Sequence, residues 1–269
     1  MKTRRIILAA ALLLTAAAAG AQGVKVYTHD GQVTDFPYTN LDSIVAYGSS
    51  VSAPEGVVAV DLGLPSGTKW ANVNVGATTP EGFGDYFQFG ETTPCTDQSE
   101  NVGWNSSYTP GGTPFSGKSY SDCGTDKDPL FTDGILYKDS LGNWQCNFAG
   151  NPKYDAATAN WGAGWQIPTQ EQQNELYNTD NCTWTWTTLN GVKGYEVKSK
   201  TNGNSIFLPA AGRRSGTGFL AVATEGLYGS SQTTQSRANR LVGLRFNATS
   251  VVFMQNYRYF GYSVRAVTK

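Results

Sequence analysis

The sequence predicts one irregular, loop-rich domain of short strands and two helices, preceded by a small N-terminal β module. The chain from Gln22 onwards is long enough to bury a full hydrophobic core. The full sequence is rich in glycine and in large aromatic residues, with 31 Gly, 14 Tyr and 7 Trp. Few segments have the apolar period of a long helix. The composition therefore favours short elements joined by loops.

The first 21 residues have the pattern of a secretory signal peptide. Three basic residues precede an apolar run, Ile6–Ala19, which ends at the small-x-small site Ala19-Gly20-Ala21. The run is shorter than the roughly 20 residues that span a bilayer, which disfavours the alternative of an uncleaved anchor helix. We expect cleavage before Gln22, no transmembrane segment afterwards, and a periplasmic, cell-surface or extracellular location.

Three further segments define the organisation of the chain. Residues 22–47 form the small β module, since apolar and polar residues alternate around the turn signal Asp30-Gly31. Residues 48–56 have the composition of a linker. The main domain, 57–269, begins with a strand at Val57–Leu62 and contains a loop insertion at about 94–151.

The insertion contains the candidate metal ligands and most of the cysteines. Its five aspartates could offer oxygens to calcium, but they lack EF-hand spacing, so solvated turn residues are the favoured interpretation; we predict no cofactor and keep calcium as the alternative. In an exported protein the four cysteines allow three pairings, which the sequence leaves open. The aspartates are Asp122, Asp126, Asp128, Asp133 and Asp139, and the cysteines are Cys95, Cys123, Cys146 and Cys182.

Two helices and several strands are predicted after the insertion. Tyr154–Trp161 is a short helix with Asp155 near its start. Thr169–Asn178 begins with a capping box, because Gln172 follows Thr169 by three residues, and its polar composition predicts a surface position. The predicted strands are Trp184–Thr187, Gly194–Lys198, Ser205–Leu208, Leu241–Asn247 and Tyr262–Val267.

Positive charge is concentrated at the C-terminal end. Residues 210–269 contain seven arginines, one lysine and a single acidic residue, Glu225, whereas 22–209 contain nine lysines and twenty acidic residues. Arginine and tyrosine, which are frequent in this segment, are enriched at binding hot spots. The net charge from Gln22 onwards is −4, which argues against a nucleic-acid binder. The segment therefore indicates a binding protein for an anionic partner.

Within this segment the pattern predicts one strand followed by one loop. Val242, Leu244 and Phe246 alternate with less apolar residues, which predicts a half-buried strand that exposes Arg245. Val251–Tyr259 has no clean period and is predicted to be a loop. Several arginines without nearby acids repel one another unless an anionic partner or solvent screens them.

Catalysis has weaker support than binding. The only histidine, His29, is adjacent to the predicted hairpin turn, far along the chain from any candidate nucleophile. Asp85 and Glu91 could act as a carboxylate pair on a glycoside, but a structural role in an aromatic segment is favoured for both. We therefore predict a protein that is not an enzyme.

Five separate motifs follow one another along the main domain: Val60–Ala71, Asn74–Ala77, Trp161–Thr169, Ser205–Gly212 and Gly261–Val267. In this order they resemble the major paralogous domain family named after Fibrobacter, which is common in exported proteins of gut bacteria. The resemblance covers about Val57 to Val267. It implies an α+β, C-type-lectin-like fold with two helices and a twisted antiparallel sheet whose terminal strands pair. Formylglycine-generating enzymes and retroelement-diversified variable proteins share this fold.

The chain departs from its relatives at functional positions. No cysteine follows Cys182, so the thiolate of formylglycine-generating enzymes has no counterpart near Gly261–Arg265. The calcium-binding sequences of sugar-binding lectins are missing as well. Gly229 stands where the family often has tryptophan.

The likeness to diversified proteins implies where a ligand binds. Gln232–Arg245 and Val252–Phe260 would form the ligand surface, while Gly226–Ser231 and Gly261–Val267 would form a fixed framework. The expected partner is a cell-surface glycan or protein with anionic groups; the alternative is a structural or adhesive envelope protein. The candidate binding residues are Gln232, Thr234, Arg237, Arg240, Val242, Arg245, Val252, Phe253, Asn256, Tyr257, Arg258 and Tyr259.

Overall fold

The structure is a computed structural model that describes residues 23–27, 33–37, 52–95, 122–215 and 218–269. The predicted signal peptide, His29 and the turn Asp30-Gly31 lie outside the described residues, as do residues 48–51 of the predicted linker. The chain divides into two units, one up to residue 50 and one from residue 51 onwards. No helix of the described part is long and apolar enough to cross a membrane.

The first unit contains the predicted hairpin. Strand β1 (Gly23–Tyr27) pairs antiparallel with β2 (Val33–Pro37), with Tyr27 opposite Val33 at the inner end. The prediction of two strands on either side of Asp30-Gly31 is confirmed.

The second unit is mostly β-structure with few helices, consistent with an α+β fold. Its strands form small antiparallel sheets and hairpins. The early strands are β3 (Ala59–Asp61), β4 (Lys69–Ala71), β5 (Tyr86–Phe87), β6 (Leu136–Lys138) and β7 (Trp144–Cys146). The central strands are β8 (Cys182–Leu189), β9 (Val192–Ser199), β10 (Ser205–Pro209), β11 (Arg213–Ser215) and β12 (Gly218–Leu220). The late strands are β13 (Glu225–Thr234), β14 (Arg237–Asn247), β15 (Ser250–Tyr257), β16 (Tyr262–Ser263) and β17 (Val267–Thr268).

Both predicted helices are present. In α2 (Ala156–Trp161) the Asp155 carboxylate accepts hydrogen bonds from the backbone N–H groups of Ala157 and Thr158, the geometry of an N-cap. In α3 (Gln170–Tyr177) the predicted capping box of Thr169 and Gln172 is confirmed. A third, short helix, α1 (Pro129–Thr132), lies in the insertion.

Helix α3 is buried more deeply than its polar composition predicts. The Gln173 side chain is fully buried, and its Nε2 donates to the carbonyl oxygens of Tyr228 at 3.1 Å and Gly229 at 3.3 Å. These backbone acceptors satisfy the Nε2 of the buried amide, whereas its Oε1 has no partner among the described residues. The helix is therefore tied to β13 by a hydrogen bond that its sequence pattern does not reveal.

Two predicted loops contain regular structure. Val251–Tyr259 is mostly strand: β15 pairs with β14 along its whole length, from Asn247 opposite Ser250 to Arg240 opposite Tyr257. Apolar and polar residues do not alternate regularly in β15, because it is an edge strand with residues of mixed exposure on each face. The described second half of the insertion contains α1 and the hairpin β6–β7.

The two ends of the second unit meet in one sheet. Strand β4 pairs with β3 on one side and with the C-terminal β17 on the other. The predicted strand Tyr262–Val267 is split into β16, which pairs with β5, and β17. Between them lies Arg265, which is 1 % exposed and donates to Asn74 Oδ1 at 2.8 Å and to the carbonyl oxygens of Ala71 and Phe207.

Two apolar clusters form the core. One contains Trp161, Phe148 and Phe89 beneath the insertion and the C-terminal segment. The other lies between sheet β10-β9-β8 and sheet β13-β14-β15, where Phe246 packs against Tyr228 and Tyr195. Strands β14 and β15 contribute to both clusters, with Leu241 and Met254 in the first and Phe246 in the second.

Candidate binding face

The alternation predicted for β14 is confirmed. Val242, Leu244 and Phe246 are buried, whereas Arg245 is exposed. Leu241 and Gly243 are buried too, so β14 is covered on both faces from Leu241 to Leu244.

The twelve candidate residues differ widely in exposure. Exposed are Arg237, Arg245 and Val252; half-buried are Gln232, Arg240, Phe253, Asn256, Tyr257 and Tyr259; buried are Thr234, Val242 and Arg258. The buried three are a correction to the predicted face, because their side chains contribute to the interior. Thr234 closes the turn between β13 and β14, where its hydroxyl donates to the Arg237 carbonyl oxygen at 3.0 Å. Val242 is part of the buried row of β14.

Arg258 is held by a buried ion pair. Its side chain is 4 % exposed and that of Asp128 is 1 % exposed. Arg258 Nη1 donates to Asp128 Oδ2 at 2.8 Å and to the Ala238 carbonyl oxygen at 2.9 Å, and Nη2 donates to Asp128 Oδ1 at 3.3 Å. The guanidinium thus joins the insertion to the segment after β15, and it is not available to a ligand.

Arg245 also has an acidic partner. Its Nε donates to Glu225 Oε2 at 3.2 Å and its Nη2 to Glu225 Oε1. The only acid of the C-terminal segment therefore neutralises one of its exposed arginines. Such an exposed pair contributes little stability, typically about 0–1 kcal/mol.

The sheet separates the candidate arginines onto two faces. Opposite residues of paired strands point to the same face, and successive residues alternate. Arg240 stands opposite Tyr257, whereas Arg245 stands opposite Val252. Since positions 240 and 245 are an odd number of residues apart in one regular strand, their side chains point to opposite faces.

Two of the half-buried candidates contact α3, and a third bonds to the backbone of its own strand. Gln232 Oε1 accepts from the backbone N–H of Gln170 at 2.6 Å, at the start of α3. Phe253 packs edge-on against Tyr177, with ring centroids 5.5 Å apart. Asn256 Oδ1 accepts from the backbone N–H of Tyr257 at 2.8 Å. These side chains support the face from below and from the side.

Arg240 lies on an aromatic row. Its guanidinium carbon is 4.3 Å from the Tyr257 ring centroid, and its Nη2 donates to the Tyr257 hydroxyl at 3.0 Å. Tyr257 and Tyr259 are stacked at 5.1 Å with an interplanar angle of 17°, and the Tyr259 and Phe260 centroids are 4.5 Å apart. Cation–π contact orients the guanidinium. Its Nη1 also donates to the Gln255 carbonyl oxygen at 3.5 Å, whereas its buried Nε–H has no acceptor among the described residues.

A second arginine, Arg213, completes the row from a distant part of the sequence. Its guanidinium carbon lies 4.7 Å from the Phe260 ring centroid. The bridge between Arg214 and Gly261 places it there, with Arg214 N–H donating to the Gly261 carbonyl oxygen at 2.8 Å. The sequence showed Arg213 only as one of the C-terminal arginines, since no local pattern pairs it with Phe260. We call Arg240, Tyr257, Tyr259, Phe260 and Arg213 the arginine–aromatic row.

The row carries positive charge without a neutralising acid. Among the described residues, neither Arg213 nor Arg240 forms an ion pair. Burial raises the pKa of the neighbouring Tyr262 hydroxyl well above its ordinary value, and the positive charges of Arg213 and Arg240 act against that rise. Both guanidinium groups therefore lie within electrostatic range of the same hydroxyl.

The predicted framework segments are internal. Every residue of 261–267 is buried, and 226–231 is buried except for the half-buried Gly229. Gly226 lies under the Phe246 ring, where a Cβ would overlap the ring atoms. These segments hold β13 and the C-terminal segment in place beneath the row.

The thiols and carboxylates considered for catalysis have structural surroundings. All four cysteines are free thiols. Burial raises the pKa of Cys95 and Cys146 to about 12 and that of Cys182 to about 11, and it also raises the pKa of Cys123. Each thiol is therefore protonated at neutral pH.

Asp85 and Glu91 lie in different surroundings. Burial raises the pKa of Asp85, whose carboxylate packs against the Gly76 turn. Glu91 is fully buried. Its negative charge raises the pKa of the Cys95 thiol, whereas the positive charge of Arg214 lowers it.

The aspartates of the insertion have local partners. Asp128 caps α1 and pairs with Arg258. Asp133 accepts from Lys153 and from the Tyr154 hydroxyl, and Asp139 accepts backbone N–H groups of its own turn. Within the described residues no group of three or more His, Cys, Asp or Glu side chains is arranged to hold a metal ion.

Comparisons with protein-family models, with curated proteins and with solved structures find no match for this chain.

Proposed function

We propose that this chain is an exported, non-enzymatic protein that binds a cell-surface glycan or protein carrying anionic groups. The binding face is the end of β14 and β15 at which Arg240 stands opposite Tyr257, extended by Tyr259. Arg245 and Val252, on the other side of the sheet, are not part of it.

One observation carries this proposal: Arg240 is half-buried against Tyr257 and has no acidic partner among the described residues. A guanidinium held on an aromatic ring has already lost most of its rotamer freedom, so an anionic oxygen can bind it at a small entropic cost. Tyrosines beside it supply rigid, amphipathic contact area. Arginines that serve only stability, such as Arg258, have buried partners instead.

The C-type-lectin-like fold and membership of the major paralogous domain family are part of the proposal. Three features support them: the ordered motifs, the two main helices α2 and α3, and the sheet that joins β3 with β17 through β4. The retroelement-diversified proteins vary their ligand surface in this C-terminal stretch, so we propose diversification here as well.

Export is proposed from the N-terminal signal pattern. A non-enzymatic role is supported by the thiols, whose raised pKa values disfavour the thiolate that oxidation of the formylglycine-generating type requires.

A binding screen tests the proposal. The purified protein and an Arg240→Ala/Tyr257→Ala variant are applied to glycan arrays and to surface proteins of neighbouring bacteria, at low and at high salt. Arg245→Ala, which removes an exposed arginine from the other face, is the matched control. We expect wild type and control to share a ligand that the double variant loses. A ligand set identical for all three proteins would contradict the proposed face.

Diversification is tested at the gene. The locus is sequenced in several clonal relatives to search for an adenine-rich near-copy of the DNA encoding Tyr228–Arg265 beside a reverse transcriptase. We expect relatives to differ at Arg240 and Tyr257 and to agree at buried framework positions such as Arg265. Identical sequences without such a copy would exclude diversification and leave a face with one fixed partner.

A structural role in the cell envelope is the second candidate, favoured by the hairpin β6–β7. Tyr137 is 51 % exposed and Leu141 is 84 % exposed at this hairpin, which suits an apolar packing contact. Salt separates the two functions, because arginine-led binding weakens as ionic strength rises, whereas an apolar contact does not.

A further inference from the structure

The arginine–aromatic row has a cation at each end and aromatic rings between. Arg240 lies against Tyr257, and Arg213 lies against Phe260. Tyr259 connects the two halves, since its ring contacts both Tyr257 and Phe260. Four side chains of the row are half-buried: Arg240, Tyr257, Tyr259 and Arg213. The row is therefore reachable from solvent at both cationic ends.

Each guanidinium also has an unused hydrogen-bond donor. The Nε–H groups of Arg213 and Arg240 are buried and have no acceptor among the described residues. A buried donor without an acceptor costs about 1–3 kcal/mol. A carboxylate or sulfate that bound side-on, after a small rotation of the guanidinium, would satisfy this donor together with an Nη–H. The two arginines are thus prepared for anionic oxygens.

The spacing of charge and ring favours one ligand class. In an acidic sugar polymer, each charged group is carried on a rigid, uncharged ring with apolar C–H faces and hydroxyls. The row offers the complement: cations separated by aromatic edges and a tyrosine hydroxyl. An acidic peptide carries its carboxylates on flexible side chains, which would lose more conformational entropy on binding.

We propose that Arg213 and Arg240 form a two-arginine subsite for the carboxylate or sulfate groups of an acidic oligosaccharide, with Tyr257 and Tyr259 as the surface between them and the buried Phe260 ring beneath. This rests on the proposed binding function and names its ligand class. It adds Arg213, from β11, to a face otherwise formed by β14, β15 and the residues that follow.

Binding of defined oligosaccharides tests the subsite by calorimetry. The probes are an oligogalacturonate, its methyl-esterified form of equal length as the uncharged control, a sulfated neutral oligosaccharide, and hexaglutamate. The variants are Arg213→Gln, Arg240→Gln and Arg213→Lys, which keeps the charge but loses the fork. Lys198→Gln removes an exposed cation from β9 and is the matched control.

We expect the charged sugars to bind and the methyl ester not to bind. Arg213→Gln and Arg240→Gln each weaken binding by about tenfold or more, as expected for loss of a charge-assisted hydrogen bond. Arg213→Lys has an intermediate effect, and Lys198→Gln has none. Preference for oligogalacturonate would identify a carboxylate as the ligand group, and preference for the sulfated sugar would identify a sulfate; either supports the subsite.

Other results would overturn the subsite. These are equal binding of the methyl ester, tighter binding of hexaglutamate than of either charged sugar, no binding of any charged sugar, or full affinity in Arg213→Gln. If the array screen still finds a ligand that Arg240→Ala/Tyr257→Ala loses, the binding function stands and only the subsite fails. Melting temperatures of all variants, expected within a few degrees of wild type, separate lost binding from lost folding.

Discussion

The buried pair of Asp128 and Arg258 gives the sharpest prediction about stability. Asp128→Asn keeps the N-cap of α1, because asparagine caps as well as aspartate, but leaves the Arg258 guanidinium buried without its counter-charge. Removing one partner of a buried pair costs about 3–5 kcal/mol, so we expect Asp128→Asn to lower the free energy of unfolding by about 3–4 kcal/mol. Asp128→Ala also loses the bond from the Leu130 N–H, 3.1 Å long in the structure, which adds about 1 kcal/mol.

The pair is tested by a double-mutant cycle. Urea unfolding of the purified protein, followed by tryptophan fluorescence, gives the free energy of unfolding for wild type, Asp128→Asn, Arg258→Met and the double variant. The two losses should not add: we expect the double variant to be more stable than their sum by about 1–3 kcal/mol, since neither side then leaves a buried charge. Additive losses, to within about 0.5 kcal/mol, would refute the buried pair and return Arg258 to the surface.

Three further predictions concern the framework. Gly226→Ala is expected to lower the free energy of unfolding by about 2–3 kcal/mol in urea unfolding, because a Cβ there overlaps the Phe246 ring. The control is Gly229→Ala, whose Cβ would have its nearest neighbour at 3.4 Å. Equal losses of stability in the two variants would contradict this packing. Thr169→Ala removes the capping box of α3 and is expected to cost about 1 kcal/mol, whereas an unchanged unfolding midpoint would mean that the cap is not used. Hydrogen bonds from Lys153 and Tyr154 lower the pKa of Asp133 below 3.8, so the ionised carboxylate stabilises the fold above pH 4 and this stabilisation is lost as pH falls through the folded pKa. Asp133→Asn is therefore expected to be less stable than wild type at pH 7 but not at pH 2. An equal difference in stability at both pH values would contradict this.

The parts of the fold that the sequence predicts are those set by neighbouring residues. The capping box of Thr169 and Gln172 is local, and so is the alternation of Val242, Leu244 and Phe246. The turn signal Asp30-Gly31 likewise predicts its two strands. Each feature depends on residues a few positions apart, which a pattern in one sequence can reveal.

The parts that were missed depend on contacts between distant residues. The sequence alone predicts a surface position for Arg258, but in the structure it forms a buried ion pair with Asp128 of the insertion. Arg213 joins Phe260 only through the bridge between Arg214 and Gly261. Strand β15 lacks a clean period because it is an edge strand, so pairing with β14 rather than burial of one face determines it.

The sequence predicts a candidate site in the C-terminal stretch but not which of its arginines are accessible. The excess of arginine and tyrosine there points to the stretch of chain that contains most of the arginine–aromatic row. The exposure of each arginine, however, depends on where Glu225 and Asp128 lie in space. This leaves Arg240 of the predicted arginines on the proposed face, with Arg213 added to it.

The central claim is that the face carrying Arg240 and Tyr257 serves binding rather than folding. The most direct measurement determines the melting temperature and the affinity for one ligand from the screen on the same samples of wild type, Arg240→Ala/Tyr257→Ala and Arg245→Ala. The account predicts that the double variant loses binding while melting within a few degrees of wild type, and that Arg245→Ala keeps both properties. A double variant that binds normally, or one that melts far below wild type, would contradict the claim and assign these side chains to the core.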